Sequence, residues 1–253
     1  MVGRAAAGPA RPGRVRDGRM TGPRVVVHDR GHDLSGVVRD GEAWAAAARR
    51  TAASLHADPV PVDLSGEVKQ FLIDHDNRVT VRAMGRGDLP DLTRWRQSEH
   101  LRRWWASDGE PTAERIEATY GPRIDGMSPT RMWVAEINGR SVGFVQDYRI
   151  GDYPDYAVLG PDPDAIGVDY ALCEEWSGRG FGAQVLWAWM VRTRRRLPAA
   201  TTYFAAPDHR NAASLRMLAK AGFTEGLWFD EPQEDGSVET VVGCSLDVAR
   251  VLG

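Results

Sequence analysis

The sequence predicts an α/β (α+β) fold with an N-terminal extension. Three observations carry that expectation. From Arg78 onward, strand-like and helix-like runs alternate without internal repeat. Asn138-Gly139 joins two apolar runs, the strongest short-range hairpin signal. A strand-like run ending at Cys173 passes through a glycine loop into an amphipathic helix that starts at Phe181. The 253 residues are 42% hydrophobic, 26% charged and 8% aromatic, enough for one sizeable core and an appendage. That balance excludes collagen, a fully disordered chain and a disulfide scaffold.

The texture of the chain changes twice. Residues 1–24 hold six arginines (4, 11, 14, 16, 19 and 24) against one acid, Asp17, with hardly any large apolar side chain, and read as a disordered basic tail. This stretch lacks the apolar centre of a secretory signal, and no later run reaches the roughly 18 apolar residues of a membrane span, so the expectation is a cytoplasmic protein. Residues 25–77 read as an appendage. Val25–Val27 is strand-like, Glu42–Leu55 is Ala-rich and helical, and Pro59 and Pro61 break it. With few large apolar residues, this segment is expected to pack on a neighbour. Residues 78–253 form the main domain.

Within that domain Val79–Val81 reads as a strand. Asp88–Trp95 reads as a helix with Asp88 at its N-cap and Pro90 in its first turn. Glu99–Trp105 and Thr112–Tyr120 are two further helical stretches. Met132–Ile137 and Ser141–Tyr148 are the hairpin strands, and Ala165–Cys173 is another strand. Phe181–Arg194 places apolar residues at 182, 185, 186, 189 and 190 on one helical face. A strand at Thr201–Ala205, a helix at Asn211–Ala221 stopped by Gly222, and strands near Thr224–Phe229 and Val238–Ser245 complete the chain.

The formal charge of −3 gives no basic bias, so a nucleic-acid partner is not expected. Charge is nevertheless concentrated locally. Eight acids and one base, Arg149, lie between 147 and 175, and five acids and no base lie between 230 and 240. Such runs are either solvated loops or, if they border one cleft, a trap for a cation. Cys173 and Cys244 are far apart and imply neither a metal cluster nor a bridge, and the six histidines show no metal-ligand spacing, so no metal is expected. Trp133, Trp187 and Trp189 read as core or interface residues, and Arg192–Arg196 as a complement to a helix C-terminus.

The most informative segment runs from Cys173 to Ala183. Gly178, Gly180 and Gly182 let backbone approach a ligand, and the N–H groups of the following helical turn, with its dipole, favour a phosphate. A dinucleotide-binding reading fails, because that motif opens a βαβ unit, whereas these glycines follow the fourth strand of a largely antiparallel region.

With this loop, Asn211, and Lys220-Ala221-Gly222-Phe223 closing the last long helix, the chain resembles the GCN5-related N-acetyltransferase superfamily over about Arg78 to Val242. The resemblance implies a mixed central sheet with helices on both faces, in which the fourth and fifth strands of the domain splay apart, and acetyl-coenzyme A as the acyl donor. Ala171, Leu172 and Cys173 would pair with its pantetheine arm, Gly178, Arg179, Gly180, Phe181, Gly182 and Ala183 would hold its pyrophosphate, and Asn211 would complete the cofactor site. A backbone N–H near Leu172 would meet the oxyanion. Ser177 stands where the family usually opens the loop with Arg or Gln, and Leu218 replaces the tyrosine that often protonates the leaving thiolate.

Trp104-Trp105, Pro111-Thr112, the hairpin from Ile137 to Gly143, Asp162-Pro163 and Gly167-Val168-Asp169 occur in the order of the aminoglycoside 6′-N-acetyltransferases. The resemblance implies a cationic small-molecule acceptor, with Trp105 and Asp169 lining its pocket and Asp155 and Tyr156 nearby. Asp169 would hold the acceptor ammonium and could take its proton, unless it is a strand-edge acid with a structural partner. The family's second acid is replaced by Ala206. Ala206-Pro207-Asp208-His209-Arg210-Asn211 is similar instead to the acyltransferases that modify lysine side chains in siderophore synthesis, which nominates Asp208 as a second catalytic candidate. A helix-entry turn is the structural alternative for Asp208. A third alternative is a non-catalytic acyl-coenzyme A sensor. The oligomeric expectation is a monomer or a homodimer.

Overall fold

The computed structural model describes residues 22–105, 109–157, 159, 161–233 and 236–253. Most of the expected basic tail, Ser107 and Asp108 after Trp105, and Glu234 and Asp235 of the second acidic run lie outside the described residues.

The N-terminal segment forms a four-stranded sheet. Strands β1 (Arg24–Asp29), β2 (His32–Val37), β3 (Val60–Asp63) and β4 (Val68–Leu72) lie in the order β2-β1-β4-β3, with helix α1 (Trp44–Thr51) between β2 and β3 in sequence. The sequence pattern showed only β1 and α1. Of the three missed strands, β2 and β3 carry Ser35-Gly36 and Pro61, which lower strand propensity, and both are edge strands, where a proline is tolerated. As expected, this segment packs on a neighbour. Phe71 meets Trp187 edge-on at 5.9 Å, and Leu64 N–H donates to the Lys220 carbonyl at 2.9 Å. One core runs from Val25, Val27 and Phe71 to Leu186, Trp189 and Val242.

The second sheet has seven strands. In chain order the elements are β5 (Val79–Ala83), α2 (Leu89–Gln97), α3 (Glu99–Arg102), α4 (Ala113–Ile124), β6 (Arg131–Ile137), β7 (Arg140–Arg149), α5 (Pro154–Ala157) and β8 (Ile166–Leu172). They continue with α6 (Phe181–Arg196), β9 (Thr202–Ala205), α7 (Ala212–Ala221), β10 (Thr224–Pro232), β11 (Val238–Asp247) and α8 (Val248–Val251). The spatial order is β10-β11-β9-β8-β7-β6-β5, and every pair is antiparallel except β8 with β9. Leu92, Trp95, Ile116 and Tyr120 from α2 and α4 cover Met132, Val134 and Phe144 on one face, while α6 and α7 cover the other. This is the mixed sheet with helices on both faces that the family resemblance implies.

Local chemistry explains the turns and caps. Asn138 and Gly139 both adopt positive φ, 52° and 79°, as a two-residue hairpin with right-handed twist requires. Thr112 caps α4 by accepting from Arg115 N–H, and Gly222 ends α7 in the left-handed region. Helix α3 stops at Arg102, earlier than the sequence pattern suggested, and Trp105 turns inward onto Phe144 at 5.9 Å. Trp133, Trp187 and Trp189 are all buried.

The parallel contact between β8 and β9 is short. Only Ile166 with Tyr203 and Gly167 with Phe204 are in register, so Val168–Leu172 have no β9 partner. Beyond Gly167 the two strands are no longer paired.

Candidate active site

On β7 and β8, cross-strand register puts Gln146 opposite Asp169, Tyr148 opposite Gly167, and Phe144 opposite Ala171, so all six share the face covered by α2 and α4. Gln146 Nε2 donates to Asp169 Oδ2 at 2.7 Å. The other end of the same amide accepts from Arg123 Nη1 at 2.7 Å, and the Arg123 guanidinium lies 4.9 Å from the Tyr120 ring centre. Each end of the Gln146 amide therefore has a partner, and the half-buried Asp169 carboxylate is oriented from α4 through β7.

Aromatic rings wall this carboxylate. Tyr148 sits 5.2 Å from Tyr153 and 6.5 Å from Tyr156, and Tyr156 sits 6.1 Å from Phe229 on β10. Gly167 makes room for Tyr148, since a Cβ there would lie 2.7 Å from the tyrosine ring. The Tyr153 hydroxyl is within 2.5 Å of Thr130 Oγ1. Burial, reinforced by the charges of Asp169 and Glu231, raises the Tyr148 and Tyr156 hydroxyls above the ordinary phenol range and keeps them neutral. Burial pushes the Glu231 carboxyl up to about 7, with the charges of Asp169 and Glu239 adding to the effect.

The donor side lies at the other end of β8. Cys173 N–H donates to the Val142 carbonyl and Ile150 N–H to the Ala165 carbonyl, which fixes the antiparallel alternation. The backbone groups of Val168, Tyr170 and Leu172 therefore point away from β7, into the gap left by β9. Beyond β8, Gly178 and Gly180 adopt φ of 72° and 87°, and a Cβ at either would meet nothing within 4 Å. The cradle at the start of α6 is thus open, its conformation one that glycine adopts without strain. Arg179 lies over the Trp176 ring at 4.5 Å, Trp176 meets Phe181 at 5.4 Å, and Gly182 allows α6 to close on Met217 of α7. Ala183 and Ala171 are buried, and Leu172 and Cys173 are half-buried. Cys173 and Cys244 are both free thiols. Asn211 caps α7, accepting from Ser214 N–H at 3.1 Å. An open helix N-terminus beside unpartnered strand edge fits a pyrophosphate followed by an amide-bearing arm.

The remaining candidates fall into two groups. Tyr156 stands with Asp169, whereas Asp155, its neighbour on α5, is exposed. Trp105 packs over Phe144 further along the same sheet face, and borders a 360 Å³ cavity lined also by Arg96, Arg102, Arg103, Gly109, Glu110 and Pro111. Asp208 is buried and bonded to Arg210 through both carboxylate oxygens, at 2.5–3.2 Å, and the guanidinium holds its carboxyl below the usual range. Adjacent His209 faces the Thr240 carbonyl at 3.0 Å. Leu218 is buried. Among the described residues no group of three or more His, Cys, Asp or Glu side chains is arranged to hold a metal, and no helix is long and apolar enough to cross a membrane.

Tyr148, Gln146 and Glu231 were among the residues of this site that the sequence pattern did not single out. Glu231 was visible only as one of five acids in a loop. Its alternation with Asp230 along an edge strand was the available clue. Gln146 carried no signal, because its role depends on register with Asp169.

A profile of the acetyltransferase (GNAT) domain family matches residues 85–230. The chain belongs to the GNAT acetyltransferase family. Aminoglycoside N(6′)-acetyltransferases type 1 from Klebsiella pneumoniae and Serratia marcescens are each 27% identical over 162 residues, 62% of this chain and 80% of theirs. A crystal structure of aminoglycoside acetyltransferase AAC(6′)-Ib with coenzyme A and kanamycin is 26% identical, with a TM-score of 0.58, covering 67% of this chain and 95% of that one. A Vibrio cholerae spermidine N-acetyltransferase in complex with coenzyme A and spermine is similar in fold, with a TM-score of 0.55 at 18% identity, over 69% of this chain and 98% of that one. This GNAT chain thus has an open glycine turn beyond one end of β8 and the Asp169 carboxylate, near Tyr148 and Tyr156, toward the other.

Proposed function

We propose that this GNAT protein transfers acetyl from acetyl-coenzyme A to a primary amine of a cationic small molecule, an aminoglycoside acetylated at its 6′-amine. The observation that carries the reading is Asp169, oriented by Gln146 and walled by Tyr148 and Tyr156 on the strand whose far end borders the glycine cradle. A carboxylate among aromatic faces is the chemistry that holds an ammonium, by charge and by cation–π attraction. Backbone at Val168–Leu172 and the start of α6 hold the donor, which supplies an acetyl thioester. The sheet then brings an amine and the thioester to one place, and that proximity supplies much of the rate.

The test is coenzyme A release from acetyl-coenzyme A with a panel of aminoglycosides, alongside long-chain acyl-coenzyme A with lysine derivatives. Kanamycin-dependent release that weakens with salt is expected. Asp169→Ala is expected to lower kcat/KM at least about 100-fold with coenzyme affinity unchanged. A fully active Asp169→Ala overturns the site. Transfer to a lysine derivative moves the reading to the siderophore-type acyltransferases and Asp208. Tight coenzyme binding without turnover leaves a sensor.

A further inference from the structure

Strand β10 presents two faces near its end. Phe229 and Glu231 are half-buried while Trp228, Asp230 and Pro232 are exposed, so period-two alternation turns Phe229 and Glu231 to the same side. Phe229 packs on Tyr156, which fixes that side as the tyrosine wall. Asp230 points the other way and is bonded to Thr240 Oγ1 at 2.8 Å. Glu231 therefore faces Asp169 from β8, Tyr148 from β7, Tyr156 from α5 and its own register partner, Glu239, from β11. Glu239 in turn lies within electrostatic reach of Arg210.

We propose, on the acceptor site described above, that Glu231 is the catalytic base for the acceptor amine, Asp169 being the carboxylate that holds it. Two carboxylates in one pocket separate their roles when their environments differ. Gln146 donates to Asp169 and orients its carboxylate, whereas Glu231 sits on an edge strand among neutral phenols and two other acids, a setting that makes its proton exchangeable near neutrality. The acceptor enters as R–NH₃⁺. Glu231 takes one ammonium proton and passes it to water at the half-exposed edge of β10. The freed lone pair forms the C–N bond, the C–S bond breaks with its electron pair going to sulfur, and a second nitrogen proton is lost while the thiolate gains one. The sum is R–NH₃⁺ plus thioester giving amide, thiol and one released proton. No oxidant or metal enters.

The first readout needs no donor. Kanamycin is titrated calorimetrically into the protein near pH 7 in two buffers of different ionisation enthalpy. A bound cation favours the Glu231 carboxylate, so the wild type is expected to release a fraction of a proton on binding, and Glu231→Gln none. The second readout is kcat/KM from about pH 5 to about pH 9. The wild type is expected to show a break near pH 7, set by Glu231, which Glu231→Gln loses together with about 100-fold in rate. Glu231→Asp, which keeps a carboxylate, is expected to recover the break and part of the rate. Asp230→Asn, on the opposite face, is expected to match the wild type. Equal proton release and an unchanged break in Glu231→Gln overturn the role of Glu231 while leaving the acceptor site intact. A wild type that neither binds nor acetylates kanamycin overturns both. If Glu231→Gln fails to fold, Glu231→Asp decides: loss of the break in this folded variant overturns the role.

Discussion

Gln146 and Asp169 lie directly opposite each other on β7 and β8 and are joined by a 2.7 Å hydrogen bond from the amide nitrogen to the carboxylate. The amide oxygen is bound by Arg123, so the side chain cannot flip without losing both partners. Gln146→Ala is expected to leave the fold and coenzyme binding intact and to lower kcat/KM for the acceptor about 10-fold or more, because Asp169 loses its orientation. Gln146→Glu is expected to be worse, since a second negative charge replaces a donor. Steady-state kinetics with a fixed coenzyme concentration check both.

Gly143 on β7 faces Leu172 of β8 where there is no room for a side chain. A Cβ there would lie 2.1 Å from the Ala171 carbonyl oxygen and 2.9 Å from Leu172 Cα, both backbone atoms that cannot rotate away. Gly143→Ala is expected to cost about 2 kcal/mol or more by forcing the strands apart, measured by urea denaturation. Because Ala171 and Leu172 border the gap proposed to hold the donor, coenzyme binding is expected to weaken in parallel.

Asp147, one residue along from Gln146, points to the other sheet face and is 2% exposed. Its carboxylate accepts from Trp133 Nε1 at 2.6 Å, Trp189 Nε1 at 2.9 Å and Arg196 Nη2 at 2.6 Å. Asp147→Ala strands two indole N–H groups and a guanidinium, and is expected to cost about 3–5 kcal/mol in denaturant unfolding. Asp147→Asn keeps the shape but loses the ion pair and is expected to fall between that variant and the wild type.

The raised Glu231 carboxyl has a consequence for stability as well as for rate. In the unfolded chain it titrates near 4.5, and in the folded chain near 7, so between those values the folded state binds more protons. Its contribution is therefore present below about pH 4.5 and lost as pH rises through about 7. Glu231→Gln removes this dependence, and its stability relative to the wild type is expected to improve by on the order of 3 kcal/mol between pH 4.5 and pH 8. Thermal unfolding of both proteins across that range checks the sign.

Gly180 tests the cradle. With φ of 87° and nothing within 4 Å of a Cβ, Gly180→Ala brings backbone strain without a clash, of about 1–2 kcal/mol. The expected outcome is a small loss of stability and a raised Kd for coenzyme A, measured by equilibrium binding.

Much of this protein is legible in its sequence because local chemistry decides it. Asn138-Gly139 can only turn a hairpin of this kind with both residues at positive φ, the apolar spacing from Gly182 to Met190 can bury only one helical face, and Gly178 and Gly180 mark a loop whose backbone is free to meet a ligand. Asp169 stood out through its place after Gly167-Val168. The tertiary structure decided the rest. Strands β2 and β3 lack a propensity signal because edge strands tolerate polar residues and proline, and they form because β1 and β4 offer them partners. Gln146 met Asp169 only through strand register, and Glu231 acquired its unusual carboxyl from groups on β8 and β11 that are remote in sequence. The physical reason is the same throughout: turns, caps and helical faces are set by residues within a few positions of one another, whereas the charge state and orientation of a side chain are set by whatever the fold packs against it.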